Sequence, residues 1–277
     1  MGYVIGSWNL RTFTGNEEKR DIDLIANVID KEGFHIMALQ EVMDTKNISG
    51  SQTIDALKAR LPNWDGCYGN PNKMGFYAAD YGFGFLWNSI FIEKCPDDIC
   101  ALSGYEMFGS GGMVSREPLY MKFIPVNGPD IEIRLINVHI EYGKGRKHER
   151  IKEFRHITGV IYDDINSHRG VKARDTYTVV LGDYNLSALV CNKHGNAGMN
   201  TKVNKPTIIS NKFPWFSLSD YDHFTIKTND FDGNEVDVKS KRVNSVRKYL
   251  RNDFKKHRRR LSDHVPIKLE LNIKREE

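Results

Sequence analysis

Eight polar side chains stand where apolar runs end. Asn9 follows Ser7-Trp8, Glu41 follows Leu39-Gln40, and His139 follows Asn137-Val138. Asp183 and Asn185 follow Val179-Val-Leu-Gly182, and Asp222, Asp263 and His264 complete the set. Carboxylates and amides offer the hard oxygen ligands that a cation such as Mg²⁺ prefers, and imidazoles titrate near neutrality. Together such groups can hold a hydrated cation, activate a water, neutralise phosphoryl oxygens and protonate a leaving alkoxide. Hydrolysis of a phosphate ester requires those four services. Each residue alone has a plainer explanation, because Asp and Asn after a strand form turns and a His among apolar residues is often a satisfied core group. The whole set is more than turn formation accounts for.

These residues need strands and helices to bring them together. In a strand, residues i and i+2 share a face, so the Asp183 carboxylate and the Asn185 amide are expected to point the same way. Glu18 to Glu32 carries Ile22, Ile25, Ala26 and Ile29 at helical spacing, with Gly33 placed to end the helix. A buried strand follows at Phe34 to Leu39, then a helix from Gln52 to Leu61. Further strands are expected at 82–87, 119–126, 131–138, 177–181, 224–227 and 265–273, with a long helix from about 147 to 165. The polar stretch between Leu186 and Ser217 reads as loops. This order argues an α/β or α+β domain spanning 1–277 and built on at least two sheets.

Of the 40 Lys and Arg, 11 fall within residues 239–260, beside a single acid, Asp253, so an acidic body bears one basic segment. Most charge runs are solvated faces, but eleven cations with one anion repel one another unless a polyanion neutralises them. Val243, Val246 and Leu250 can form a docking stripe that leaves Arg247, Lys248 and Arg251 outward, ready for backbone phosphates. Four cysteines are too few for a disulfide scaffold and lack zinc spacing, although Cys95 and Cys100 can close a small loop in an oxidising compartment. There is no apolar run long enough for a membrane span and no signal-peptide pattern ahead of Tyr3. A cytoplasmic location is the expectation, with secretion open if a signal peptide has been removed.

Ser7-Trp-Asn-Leu-Arg11, Leu39-Gln-Glu-Val42, Asn137-Val-His139, Leu181-Gly-Asp-Tyr-Asn185 and Ser262-Asp-His264 resemble, in order, the signature segments of the endonuclease/exonuclease/phosphatase superfamily. Ser115-Arg-Glu-Pro118 and Tyr221-Asp222 resemble its DNase I branch. The resemblance implies a four-layer sandwich, two mainly antiparallel sheets face to face with helices outside, and metal-dependent cleavage of a phosphate ester. It makes Glu41, Asn9 and Asp263 the metal ligands, with Mg²⁺ the expected ion and Mn²⁺ a substitute. Asp183 would take the proton of the attacking water or hold a second metal, and Asn185 would donate to the phosphate or complete that metal's shell. His139 and His264 would be general acid/base partners or phosphate donors, Asp222 would orient His264, and Arg116 would clamp a backbone phosphate.

The chain departs from that branch at Met43, where an arginine reaching into the minor groove would stand, and Cys191 lacks a mate for the secreted DNases' disulfide. An acidic residue that supports the first histidine has only Tyr81, or Asp80 one position away, to represent it. The expected activity is a metal-dependent DNA endonuclease of low sequence specificity. Two alternatives stand beside it. One is a phosphatase or phospholipase acting on phosphoinositides or sphingomyelin, and the other is an inactive nucleic-acid-binding module.

Overall fold

A computed structural model describes residues 2–70, 81–95, 105–107, 113–143, 145–167, 174–203, 205–213, 215–231 and 236–273. Its strands are β1 (Gly2–Phe13), β2 (Ile36–Met43), β3 (Trp64–Gly69), β4 (Tyr81–Asn88), β5 (Ile92–Lys94), β6 (Tyr105–Met107) and β7 (Leu119–Pro125). They continue with β8 (Ile131–His139), β9 (Asp175–Asp183), β10 (Met199–Lys202), β11 (Asp222–Lys227), β12 (Val236–Arg242) and β13 (Ile267–Ile273). The helices are α1 (Ile22–Lys31), α2 (Gly50–Lys58), α3 (Lys147–His156), α4 (Tyr162–Ser167), α5 (Ala188–His194), α6 (Ser245–Leu250) and α7 (Phe254–Arg260).

One sheet runs β12-β13-β1-β2-β4-β3 and the other β10-β11-β9-β8-β7-β5, with β6 also paired to β7. Only β1/β2 and β8/β9 pair in parallel. Alternation along these strands sends Ile5, Ile36, Ala38 and Phe85 of the first sheet against Leu135, Val179, Leu181 and Phe224 of the second. Trp8, Met37 and Leu39 face the other way, onto Ile25, Ile29, Ile54 and Leu57 of α1 and α2. On the far side Ile136, Val138 and Val180 meet Phe154, Ile161 and Ile165. The order is therefore helices, sheet, sheet, helices, and burial of each such side chain contributes about 1.5–3 kcal/mol. That is the four-layer sandwich expected.

The helical stripe of α1 docks as the spacing predicts, but the helix starts at Ile22, where the Asp21 side chain caps Leu24 N–H. Helix α2 begins at Gly50 behind a Ser49–Gln52 capping box, and Ala59 closes it ahead of the expected end. The long helix α3–α4 is interrupted by a π-turn at Ile157–Ile161. The region read as loops holds α5 and β10. Residues 239–260 fall into three pieces: the end of β12, then α6, then α7. Cys95 is disulfide-bonded and Cys67 and Cys191 are free, while Cys100 lies outside the described residues.

Two features fix the sheets to one another and to the site. In the buried interface Gln40 Nε2 of β2 donates to Asn137 Oδ1 of β8 at 2.8 Å, and Asn137 Nδ2 donates back to the Leu39 carbonyl at 3.1 Å. A polar pair across an otherwise apolar interface specifies one register, because any slip leaves buried groups unsatisfied. Gly182 has φ +139°, and a Cβ there would stand 1.9 Å from the Val138 carbonyl oxygen. Only glycine lets β8 and β9 close on each other immediately before Asp183. Gly182→Ala is expected to destabilise the protein by at least about 2 kcal/mol, read as a lowered denaturation midpoint; an unchanged midpoint would contradict this role.

Candidate active site

The parallel pairs β1/β2 and β8/β9 lie side by side, and residues toward their C-terminal ends converge. Asn9, Glu41, His139 and Asp183 come from those four strands, and Asp222 opens β11 beside Asp183. The backbone pays for this convergence in conformation: Arg11, Thr12, Glu41 and Asn185 all have φ between 46° and 57°, unusual for residues with a side chain.

Asn9 sits at the centre. Its Nδ2 donates to Glu41 Oε1 at 2.9 Å and to Asp183 Oδ2 at 3.1 Å, while its Oδ1 accepts Arg11 N–H at 2.8 Å. The amide nitrogen of Asn9 bridges two carboxylates and so sets their spacing, and its Oδ1 keeps one acceptor site beyond the Arg11 bond. Glu41 Oε2 also accepts Thr12 N–H at 2.9 Å.

Asp183 closes β9, and the chain then turns, so Asn185 lies outside the strand and the shared-face expectation does not hold. Instead Asn185 N–H donates to Asp183 Oδ1 at 2.9 Å, and Asn185 Nδ2 donates to the Ile140 carbonyl at 2.8 Å. The residue holds Asp183 in place, and its side chain is turned to the backbone. Tyr184 between them is buried among core residues with its hydroxyl on the Val180 carbonyl.

Both histidines face Asp183. His139 Nε2 lies 3.6 Å from Asp183 Oδ2 and 3.9 Å from Glu41 Oε1, and His264 Nε2 lies 3.8 Å from Asp183 Oδ2. His264 Nδ1 is hydrogen-bonded to Asp222 Oδ2 at 2.8 Å, as expected. Two unforeseen residues hold His264: Ser262 Oγ donates to the Asn9 carbonyl and accepts His264 N–H, and Trp8 Nε1 donates to the His264 carbonyl. His139 Nδ1 is buried with no hydrogen-bond partner among the described residues, and Asp80 lies outside them.

The two imidazoles consequently differ. Burial lowers the His139 pKa well below its ordinary value, helped by Arg116 and His264, so the ring is neutral. Burial also opposes a charge on His264, but Asp222, Asp183 and Asp263 override it and push its pKa up to about 10. Asp183 is raised to about 7 by burial, Asp222 and Glu41, against the opposing pull of His264.

Arg116 donates Nη1 to the His139 carbonyl at 2.9 Å and lies over the Tyr81 ring, 5.6 Å from its centroid. That fixes one edge of the guanidinium beside the site. Glu153, which the sequence did not single out, receives Ser115 N–H and Ser115 Oγ at 3.0 and 2.8 Å and so secures the segment carrying Arg116.

Asp263 is less available than expected, because Oδ2 is shared by Arg11 at 3.0 Å and Arg258 at 3.1 Å. Its Oδ1 is buried and unpartnered among the described residues, as is Asp222 Oδ1. Asp183, Asp222 and His264 present ligand atoms within 4.8 Å of one another and could hold a metal. The short Asp222–His264 hydrogen bond makes a proton-holding pair the better description of those two, while Glu41 and Asp183, which share the Asn9 amide, offer the hard oxygens nearest each other.

Arg247, Lys248 and Arg251 do not reach this site. Val243, Val246 and Leu250 are buried as the stripe predicts, but the outward face of α6 lies elsewhere. Lys248 Nζ pairs with Glu32 at 2.8 Å, just before β2 starts, whereas Glu41 lies near the end of that strand. Within the basic segment, the cation that reaches Asp263 is Arg258 of α7.

A sandwich with carboxylates, an Asp-held imidazolium and an arginine at the ends of its central strands defines a phosphoesterase class. Residues 6–225 match the Endonuclease/Exonuclease/phosphatase family. The chain belongs to that family, with its DNase I-like fold, and members of it are hydrolases of phosphate esters. Similar solved structures include D. rerio TDP2 complexed with single strand DNA product, at 17% identity and TM-score 0.64 over 98% of this chain and 99% of that one. Truncated Caenorhabditis elegans TDP2 is similar at 15% identity and TM-score 0.61, with 98% of each chain covered. A Bacteroides thetaiotaomicron mannosyl-6-phosphatase is similar at 13% identity and TM-score 0.61 over 97% of this chain and 99% of that one. No curated protein matches the sequence.

The His264–Asp222 pair carries a pH signature. A histidine whose folded pKa is about 10, against about 6.5 unfolded, contributes stability that is full below pH 6.5 and lost as pH rises toward 10. Asp222→Asn is expected to remove that alkaline decline and to lower the His264 titration midpoint, followed by imidazole NMR. A His264 midpoint still near 10 in the variant would contradict the pairing.

Proposed function

We propose that this protein is a divalent-metal-dependent phosphodiesterase that cleaves the nucleic-acid backbone, with DNA as the substrate and Mg²⁺ as the ion. The observation that carries this reading is the meeting of Glu41, Asp183, His139 and the His264–Asp222 pair at one point, within 4 Å of the Asp183 carboxylate for both imidazoles. The TDP2 structure with a single strand DNA product supports the choice of nucleic acid, as do the cations of α7.

Glu41 and Asp183, which share the Asn9 amide, would hold the ion, which when bound neutralises phosphoryl charge and stabilises the departing oxygen. The remaining work belongs to the chain. Asp183, whose Oδ2 both imidazoles face, accepts a proton from the attacking water. His264, kept cationic by Asp222, presents Nε2–H to a phosphoryl oxygen, where charge grows in the transition state. His139, neutral at its site, can orient the water or the leaving group through Nε2. Arg116 uses the donors that the His139 carbonyl does not occupy on a phosphate.

A second reading, hydrolysis of a small phosphate ester, draws on the likeness to the mannosyl-6-phosphatase. Supercoiled plasmid separates the two. Purified protein with Mg²⁺ or Mn²⁺ is expected to nick it, EDTA to abolish nicking, and Asp183→Ala to slow it by about 10³-fold or more. Absence of nicking together with turnover of a sugar phosphate would overturn the nucleic-acid assignment.

A further inference from the structure

Beside the catalytic centre, the loop leaving β1 faces α7 across a cleft of about 610 Å³. Arg11, Lys19 and Arg20 line it from the loop, and Lys255, Arg258 and Arg259 line it from the helix, with Glu18 the one acid in the lining. Arg20 braces the two walls, donating Nη1 to the Arg259 carbonyl at 2.8 Å and Nη2 to the Arg11 carbonyl at 2.7 Å. Its Nε is buried without a partner, and no carboxylate lies within ion-pair distance of Arg20, Lys19, Lys255 or Arg259 among the described residues. Burial and the neighbouring Arg11 oppose the Arg20 charge more strongly than the nearby Asp263 and Glu41 favour it. So many cations around one cavity repel one another until an anion enters.

The cleft adjoins the active site through Arg11 and Thr12, whose N–H groups donate to Asn9 and Glu41, and through Asp263. Asp263 ties Arg11 to Arg258 at the cleft, and the next residue in the chain is His264. A lone phosphate ester would occupy the His264–Asp183 centre and leave the cleft uncompensated. A polyanion whose phosphates repeat along a chain can fill both at once. We propose that this cleft is a strand-phosphate site: it seats phosphates of a nucleic-acid chain to one side of the scissile bond. The inference rests on the reading of the catalytic centre as a nucleic-acid phosphodiesterase. It also moves the phosphate-contacting surface of the basic segment from α6 to α7.

Lys255 and Arg259 are exposed and touch no catalytic group. Reversing both, in Lys255→Glu/Arg259→Glu, is tested by binding of a short labelled single-stranded oligodeoxynucleotide in EDTA over a range of salt. The affinity is expected to fall at least tenfold at low salt, and the log–log salt slope to shrink by about 1.4, or about 0.7 for each lost phosphate contact on a single strand. Arg247→Glu/Arg251→Glu, with the same change in charge on α6, is expected to stay within about twofold of wild type with its slope unchanged. Equal weakening of both variants would reduce the effect to overall charge and overturn the site, as would no weakening of the first. Wild-type protein that ignores the oligonucleotide but binds phosphoinositide vesicles would overturn it as well. Binding through the cleft without Mg²⁺-dependent cutting would sink the catalytic reading and leave the cleft standing. Cutting with unaltered binding in Lys255→Glu/Arg259→Glu would do the reverse.

Discussion

The Asn9 side chain is the interaction on which the site depends. Its amide nitrogen donates to a carboxylate from each sheet, Glu41 on β2 and Asp183 on β9. Two carboxylates brought this close repel each other, and burial raises that cost. A shared donor offsets it and sets the spacing between them. The Asn9 carbonyl meanwhile accepts Ser262 Oγ, which positions His264, and its Oδ1 holds the Arg11 backbone where the cationic cleft begins. One residue thus ties together both sheets, the charged imidazole and the cleft.

The surrounding fold serves to keep that arrangement from relaxing. Gln40 and Asn137 pin the register of the two sheets directly behind it, and Gly182 lets the second parallel pair close tightly enough to present Asp183. The left-handed conformations at Arg11, Thr12, Glu41 and Asn185 are held by hydrogen bonds that involve those same residues. Strain of this kind survives where the neighbouring structure over-determines it, and it gathers here at the chemistry. Charge is sorted in the same small volume: His139 stays neutral beside Arg116, and His264 stays cationic beside Asp222.

Much of this was legible in the sequence because strand ends announce themselves. Apolar runs that stop at Asn9, Glu41, His139 and Asp183 located four of the converging positions, and the stripe of α1 marked its docked face. The directions of side chains were not legible. Asn9 and Asn185 read as ligand and phosphate donor, yet Asn9 spends its amide nitrogen on two carboxylates and Asn185 spends its own on the Ile140 carbonyl. The basic segment misled for a similar reason. Its apolar stripe at Val243, Val246 and Leu250 located a docked face correctly, but a left-handed cap at Arg251 ends α6 and starts a second short helix that carries other cations to the site. Strands β3 and β12 escaped notice because they carry the exposed Asp65 and Lys239 and the half-buried Gly66 and Asp237, which no alternating pattern of apolar residues singles out.

The most direct test of the account is the single-turnover rate at which Asn9→Leu protein, with its folding checked by circular dichroism, cleaves a short DNA oligonucleotide in saturating Mg²⁺. The side chain keeps its approximate shape and loses the bridge together with the acceptor for Arg11 N–H, so the account predicts a rate at least about 100-fold below wild type. A folded Asn9→Leu protein cutting at the wild-type rate would contradict it, because the two carboxylates would then need no common donor to act together.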